Sequence, residues 1–279
     1  MASAGPAISI LTPSYNAGDY LVDAVRSALE QMRADDELLI QDAGSTDGSI
    51  ERIAAEFAAY PQLKIVSEPD DGQADALNRA LRRAGNPVMG WLNADDLLHP
   101  GALDAVRRAW ELHPEVKVVF GSWYILAADG TLLRHKVPTT FEPMSLLWRP
   151  TVFSGAIFAK TDAVREVGGF DAGLYFVMDG DLWMRLAQLR SAVQIPETLA
   201  GFRWYTGSKT GGMDAALLRE GMVYRRRYAV GLRGKALSYV AFVGDCLWFL
   251  AVPLRKASWY SNWRLRRSAR TRPEPAGRG

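Results

Sequence analysis

Along the first 120 positions the apolar residues follow two alternating periods. "AISILTP" (7–13) is a short apolar run bounded by turn residues and predicts a buried strand, whereas "DYLVDAVRSALEQM" (19–32) spaces its apolar residues as a helix does. The pair recurs: strands over "ELLIQD", "LKIVSEP", "PVMGWLN" and "VKVVFGSW" alternate with helices over "SIERIAAEFAAY", "QADALNRALRRAG" and "ALDAVRRAWELH". Repeated β–α pairs of this length predict an α/β domain with a doubly wound, mostly parallel sheet and helices on both faces. After residue 120 the pattern changes. "SWYILAADGTLLRHKV" predicts a hairpin turning at Asp129-Gly130, with further strands over "TVFSGAIFAK", "AVQIP" and "LAGFRWY". "DGDLWMRLAQLR" and "MDAALLREGMVYRRRYAV" predict helices, and no repeat with a period of 20–50 residues appears.

Polar clusters fall at the carboxyl ends of the predicted strands: "TPSYN", "QDAGSTDGS", "EPDDGQAD" and "LNADD". Ligands of such sheets bind beyond those ends, so the loops predict one acidic, hydroxyl-rich pocket. Asp95 and Asp96 are adjacent like charges, which repel strongly in a cleft unless a cation lies between them. Hard Mg²⁺ or Mn²⁺ takes one or two carboxylates and completes its shell with phosphate oxygens and water. The competing reading makes them a helix cap ahead of "LLHPGALDAV". Asp42, at the end of the second strand, can accept hydrogen bonds from a base or a ribose, while Gly44 admits close backbone approach and Asp47 caps the next helix. Thr12, Ser14, Tyr15 and Asn16 add hydroxyl, amide and stacking groups nearby. Asp179 and Asp181 stand two apart where an apolar helix begins. At most one can cap it, and a carboxylate desolvated by Phe176, Met178 and Trp183 gains proton affinity suited to a general base. The competing reading has both only favouring the helix dipole.

In order, "SILTPSYN", "QDAGSTDGS", "DGQADALNRAL", "WLNADD", "REVGGFDAGLYFVMDGDLWMRLA" and "FRWYTGSKTG" resemble a family 2 glycosyltransferase of the GT-A fold, over roughly residues 7–212. The resemblance implies a nucleoside-diphosphate-sugar donor of UDP type, a saccharide or lipid-linked acceptor, Mn²⁺ or Mg²⁺, and inversion at the anomeric carbon. It sets Thr12, Pro13, Tyr15, Asn16 and Asp42 around the nucleoside, with Asp75 and Asn78 nearby. Asp95 becomes the principal metal ligand and Asp96 its support. Asn93 stands where many relatives carry aspartate, which weakens a ribose or metal contact there. Asp179 aligns with the catalytic base and Asp181 is its competitor, since Met178 replaces an acidic partner. Tyr205 stands where a histidine commonly follows the arginine by two, leaving Arg203, Ser208 and Lys209 to engage phosphates. Two other classes share features with this reading. A nucleotidyltransferase needs a basic, glycine-rich loop after the first strand, and "LTPSYNAGDY" has no Lys or Arg. A non-catalytic sugar-nucleotide sensor has only Asn93 and the missing histidine in its favour.

Composition adds a division. The chain of 279 residues is 48% hydrophobic and 23% charged, which suits a globular core. Its net charge of +2 conceals −9 over residues 1–214 (19 Lys and Arg against 28 Asp and Glu) and +11 over 215–279 (14 against 3). Two domains are therefore expected: a catalytic one over 1–212, with a nucleotide-sugar half (1–120) and an acceptor half (121–212), and a helical, basic extension over 213–279. The acidic body disfavours nucleic acid. Within the extension, "ALSYVAFVGDCLWFLAVPL" approaches the length of a bilayer span but contains Asp245, Gly244 and Pro253, and arginines interleave with Trp259, Tyr260 and Trp263 after it. The preferred reading is an interfacial helix on an anionic membrane surface; a single span, or a packed helix with a solvated tail, are the alternatives. No basic region followed by a long apolar stretch opens the chain, so a cytoplasmic location, peripheral at the inner face of the membrane, is expected. Cys246 alone forms no internal disulfide and reads as a small buried hydrophobe. His99, His113 and His135 match no ligand spacing and read as packing or surface residues.

Overall fold

β1 (Ile8–Ser14) and β2 (Glu37–Asp42) are buried along their whole lengths. Strands covered on both faces carry continuous apolar runs rather than alternating ones, which is the pattern their sequences show. The computed structural model describes residues 5–148, 152–205, 215–231, 234–236 and 238–244. Between the first two strands, α1 (Asp19–Leu29) turns Leu21, Val22, Val25, Ala28 and Leu29 inward at helical spacing. The first half continues through α2 (Ser49–Glu56), β3 (Leu63–Ser67), α3 (Gln73–Arg83), β4 (Val88–Trp91), the two-residue β5 (Leu97–Leu98) and α4 (Ala102–Leu112). The second comprises β6 (Val118–Leu126), β7 (Leu132–Lys136), α5 (Pro143–Trp148), a 3-10 turn (Ser154–Ala156), β8 (Ile157–Lys160), α6 (Thr161–Glu166), α7 (Met178–Ala187), β9 (Ala192–Arg203) and α8 (Ala215–Tyr228).

Among the described residues the strands form one sheet in the order β3-β2-β1-β4-β8-β6-β9-β5, with β7 on β6. The β3–β2–β1–β4 half is parallel, with Leu11 opposite Leu39 and Trp91. β8 then runs antiparallel to both β4 and β6, while β6 and β9 are parallel. Successive side chains point to opposite faces, so Ile10 joins α1 and α4 in one core and Leu11 joins α3 and α7 in the other. Helices thus cover both faces, as the periodicity predicts.

The predicted hairpin is present between β6 and β7. Asp129 accepts the Thr131 amide at 3.0 Å and Gly130 takes a φ of 81°. Two predicted strands, "AVQIP" and "LAGFRWY", are instead the single β9. Its pairing with β6 slips from Phe120↔Gln194 to Ser122↔Thr198, and a Cβ on the intervening Gly121 would lie 2.6 Å from the Glu197 carbonyl. The predicted strand over 151–160 is β8 preceded by the 3-10 turn.

α8, the first helix of the expected extension, lies against the second core through Tyr224, whose hydroxyl donates to the Leu146 carbonyl at 3.2 Å. No helix among the described residues is long and apolar enough to cross a membrane. Ser208, Lys209, Cys246 and the arginine- and tryptophan-bearing stretch from 255 onward lie outside the described residues.

Candidate active site

The loops after β1, β2 and β3 enclose a cavity of about 450 Å³ at the carboxyl edge of the sheet. Tyr15 and Tyr175, 66% and 55% exposed, line it together with Pro13, offering flat faces of the kind on which a base stacks. The hydroxyls of Thr12 and Ser14 are buried without a hydrogen-bond partner among the described residues, and Ser14 lines the cavity. Asp42 is fully buried. Its Oδ2 accepts the amides of Gly44 (3.1 Å) and Ser45 (2.8 Å) and the Ser67 hydroxyl (2.7 Å), and Oδ1 accepts the Ser45 hydroxyl. The carboxylate therefore builds the loop that places Ala43 on the cavity wall, with Gly44 at a left-handed φ of 81°. Asn16 stitches the first two loops: its Oδ1 accepts the Thr46 amide at 2.9 Å and its amide donates to Ser45 Oγ at 2.8 Å. Asp47 accepts the Ser49 amide at 3.1 Å at the start of α2 and also the Gly18 amide at 2.8 Å.

Asp75 and Asn78 are both tied to the protein. Asp75 pairs with Arg79 at 2.8 Å and accepts the Asp71 amide at 3.2 Å. The Asn78 side chain holds the backbone of Phe170 at both ends, donating to its carbonyl (2.8 Å) and accepting its amide (2.9 Å), which locks α3 to the loop preceding α7. Sequence reasoning singled out none of the cavity's Asp70, Gln73 and Tyr175. The first two sit in the acidic cluster after the third strand and carried a signal; Tyr175 lies in an irregular stretch that carries none. Burial raises the proton affinity of Asp70 against a bond from the Gly72 amide.

Beyond β4 the chain turns through the carboxylate pair. Asn93 Oδ1 accepts Gln73 Nε2 and Trp91 Nε1, each at 2.8 Å, and its Nδ2 donates to Asp96 Oδ2 at 2.8 Å. A hydrogen-bonded chain, Gln73–Asn93–Asp96, thereby joins the cavity to the carboxylates. Asp96 has no exposed surface, and its other oxygen accepts the Arg203 amide at 3.0 Å. Asp95 is half-buried, and its Oδ2 accepts the Tyr205 hydroxyl at 2.9 Å. α4 begins only at Ala102 after Gly101, with no side-chain cap, which removes the helix-cap reading of both aspartates. Burial, then the charge of Asp95, hold the Asp96 carboxyl well above the usual carboxylate range. Burial also raises Asp95, against the Tyr205 bond and the Arg203 charge, and burial beside Asp95 raises the Tyr205 phenol. A bound cation would relieve this strain on the charged forms.

Among the described residues no three His, Cys, Asp or Glu side chains are grouped to hold a metal ion. Of the pair, half-buried Asp95 is the carboxylate that could meet a cation completing its shell with ligand oxygens and water, and fully buried Asp96 lies behind it. Arg203 is 4% exposed, bonded to Asp23 Oδ2 (2.7 Å) and to the Asp95 carbonyl (3.3 Å), and stacked 4.9 Å from the centre of the Tyr20 ring. It is built into the wall. The three histidines bond or stack elsewhere, His99 and His135 both against Tyr124.

At the start of α7 no side chain caps the helix from the N-cap position. The incoming amides of Tyr175, Phe176 and Val177 are instead accepted by Glu220 of α8, at 3.1, 2.6 and 3.3 Å. Asp179 is half-buried, with Oδ2 3.5 Å from Ser154 Oγ and Oδ1 accepting the Gly180 amide. Asp181 is fully buried among donors: Arg185 (2.8 Å), Arg227 (2.8 Å) and the Tyr228 hydroxyl (2.7 Å).

Comparison with known proteins gives a consistent picture. The sequence model of one family, described as Glycosyl transferase family 2, matches residues 9–170. Chondroitin synthase of Escherichia coli is 25% identical over 184 residues, which span 66% of this chain and 27% of that protein. The chain covers about a third or less of the length of such curated relatives. Among solved structures, S. aureus TarS 1–349 in complex with UDP-GlcNAc superposes with a TM-score of 0.65 at 14% identity, covering 83% of this chain and 70% of that one. The mannosyltransferase PcManGT from Pyrobaculum calidifontis, in complex with GDP-Man and Mn²⁺, does so at 0.60 and 21%, covering 86% and 70%. These likenesses establish the fold.

Proposed function

The chain belongs to glycosyl transferase family 2, and from that premise we propose that it moves a sugar from a nucleoside-diphosphate-sugar donor to a hydroxyl of a saccharide or lipid-linked acceptor, inverting the anomeric carbon. The observation that carries this reading is the Gln73–Asn93–Asp96 chain, which couples a ring-lined cavity to a carboxylate pair on the same sheet edge. The cavity takes the base between Tyr15 and Tyr175, with Ser14 and Asp70 supplying polar contacts. Thr12, Asn16 and Asp42 shape its floor and rim. Asp95 would hold Mn²⁺ or Mg²⁺, which when bound supplies positive charge to the departing diphosphate. Asp179 accepts the proton of the acceptor hydroxyl, which displaces its weak contact with Ser154. Asp181, whose oxygens are already taken, holds α7 in place.

Chondroitin synthase is a polysaccharide-forming relative, and this supports a role in cell-surface polysaccharide or glycolipid assembly. The basic extension suits an anionic membrane surface where lipid-linked acceptors lie. Calorimetric titration with UDP- and GDP-sugars, with and without Mn²⁺, tests the donor half of the proposal. Binding strengthened by Mn²⁺ is expected, followed by nucleotide release on adding acceptor; failure of every sugar nucleotide to bind would overturn it.

A further inference from the structure

The Tyr205 hydroxyl donates to Asp95 Oδ2 at 2.9 Å. The tyrosine is held from two sides. Its ring lies 5.1 Å from that of Tyr20, and two residues earlier Arg203 is anchored through its amide to Asp96 and through its guanidinium to Asp23. An isolated aspartate has two equivalent oxygens on a broad terminal torsion and can present either, or both. The bond to Oδ2 uses one of that oxygen's lone pairs and narrows the torsion, which favours Oδ1 as the oxygen turned toward an ion. Small divalent ions with octahedral shells favour such one-oxygen carboxylate contacts, and the groups that orient a ligating carboxylate strongly affect metal affinity.

We propose that Tyr205 is a positioning residue that fixes Asp95 as a one-oxygen ligand for a divalent cation without touching the ion itself. The inference rests on the assignment of Asp95 made above and adds what orients it. Tyr205→Phe keeps the ring against Tyr20 and removes the hydroxyl that donates to Asp95.

The test follows Mn²⁺ binding by electron paramagnetic resonance in the full chain, with Mn²⁺ alone and with UDP or GDP present, for the wild type, Tyr205→Phe and Asp95→Asn. Tyr205→Phe is expected to bind Mn²⁺ about 10- to 100-fold more weakly, with nucleotide affinity measured without metal unchanged. A merely structural tyrosine would lower the melting temperature and leave Mn²⁺ affinity where it was. Equal or tighter Mn²⁺ binding by Tyr205→Phe, in a protein whose binding depends on Asp95, overturns the inference and spares the assignment of Asp95. Wild-type Mn²⁺ affinity indifferent to Asp95→Asn overturns both.

Discussion

An α-helix advances about 100° per residue, so carboxylates two positions apart face directions about 200° apart. In α7 this turns Asp181 inward to Arg185, Arg227 and Tyr228 and leaves Asp179 half-buried beside Ser154. Asp179→Asn is therefore expected to lower kcat by roughly 10²–10⁴-fold in a nucleotide-release assay while donor binding persists. Asp181→Asn should behave differently, lowering the urea midpoint, because the partly exposed guanidiniums of Arg185 and Arg227 lose the buried carboxylate they pair with. Full stability with abolished turnover in Asp181→Asn would transfer the base role to it. The same division limits what residue types reveal. That carboxylates and amides crowd the strand ends is legible in the sequence, but their partners are not. Asn78, expected near the nucleoside, clamps Phe170, 92 positions away, and Asp42 accepts bonds from its own loop.

β2 is fastened by Glu37 as well as by its ladder. One carboxylate oxygen accepts the Ser9 hydroxyl and the Gly85 amide, each at 2.6 Å, and the other pairs with Lys64 at 2.5 Å. Burial raises the proton affinity of this group, but the bonds from Lys64, Ser9 and Gly85 outweigh it and the result is lowered. A carboxylate with a depressed folded value stabilises above its unfolded value, near 4.5, and loses that contribution as pH falls through the folded one. The urea midpoint of the wild type should accordingly fall more steeply with acidification below about pH 4.5 than that of Glu37→Gln; parallel profiles would refute the coupling. The strands β1 to β4 and helices α1 to α4 follow the local period of the sequence and were readable from it. β9 was not, because its slip opposite Gly121 is set by a neighbouring strand rather than by its own pattern. The six-residue α5 and α6 are shorter than the window over which a helical period declares itself.

Over the whole molecule the charge division does not coincide with a division of structure. α8 belongs to the basic segment, yet Arg227 bridges Asp171 at 2.7 Å and Asp181 at 2.8 Å in the acidic body. We expect a chain ending at residue 244 to melt close to the full-length protein, and one ending at 212 to melt well below it, since the latter removes Arg227 and Tyr228 from Asp181 and leaves it only Arg185. The full chain should sediment with anionic vesicles at low salt and the chain ending at 244 should not, with high salt releasing the former as screening shortens the range of the attraction. Equal sedimentation of the two would assign membrane contact elsewhere. Glu220 carries a practical consequence. The amides it quiets lead directly into the first turn of α7, which bears Asp179, so a chimera that replaces α8 with a foreign tail leaves those N–H dipoles bare beside the proposed proton acceptor. In any exchange of segments with a relative, the helix that carries Glu220 therefore belongs with the loop that leads into α7.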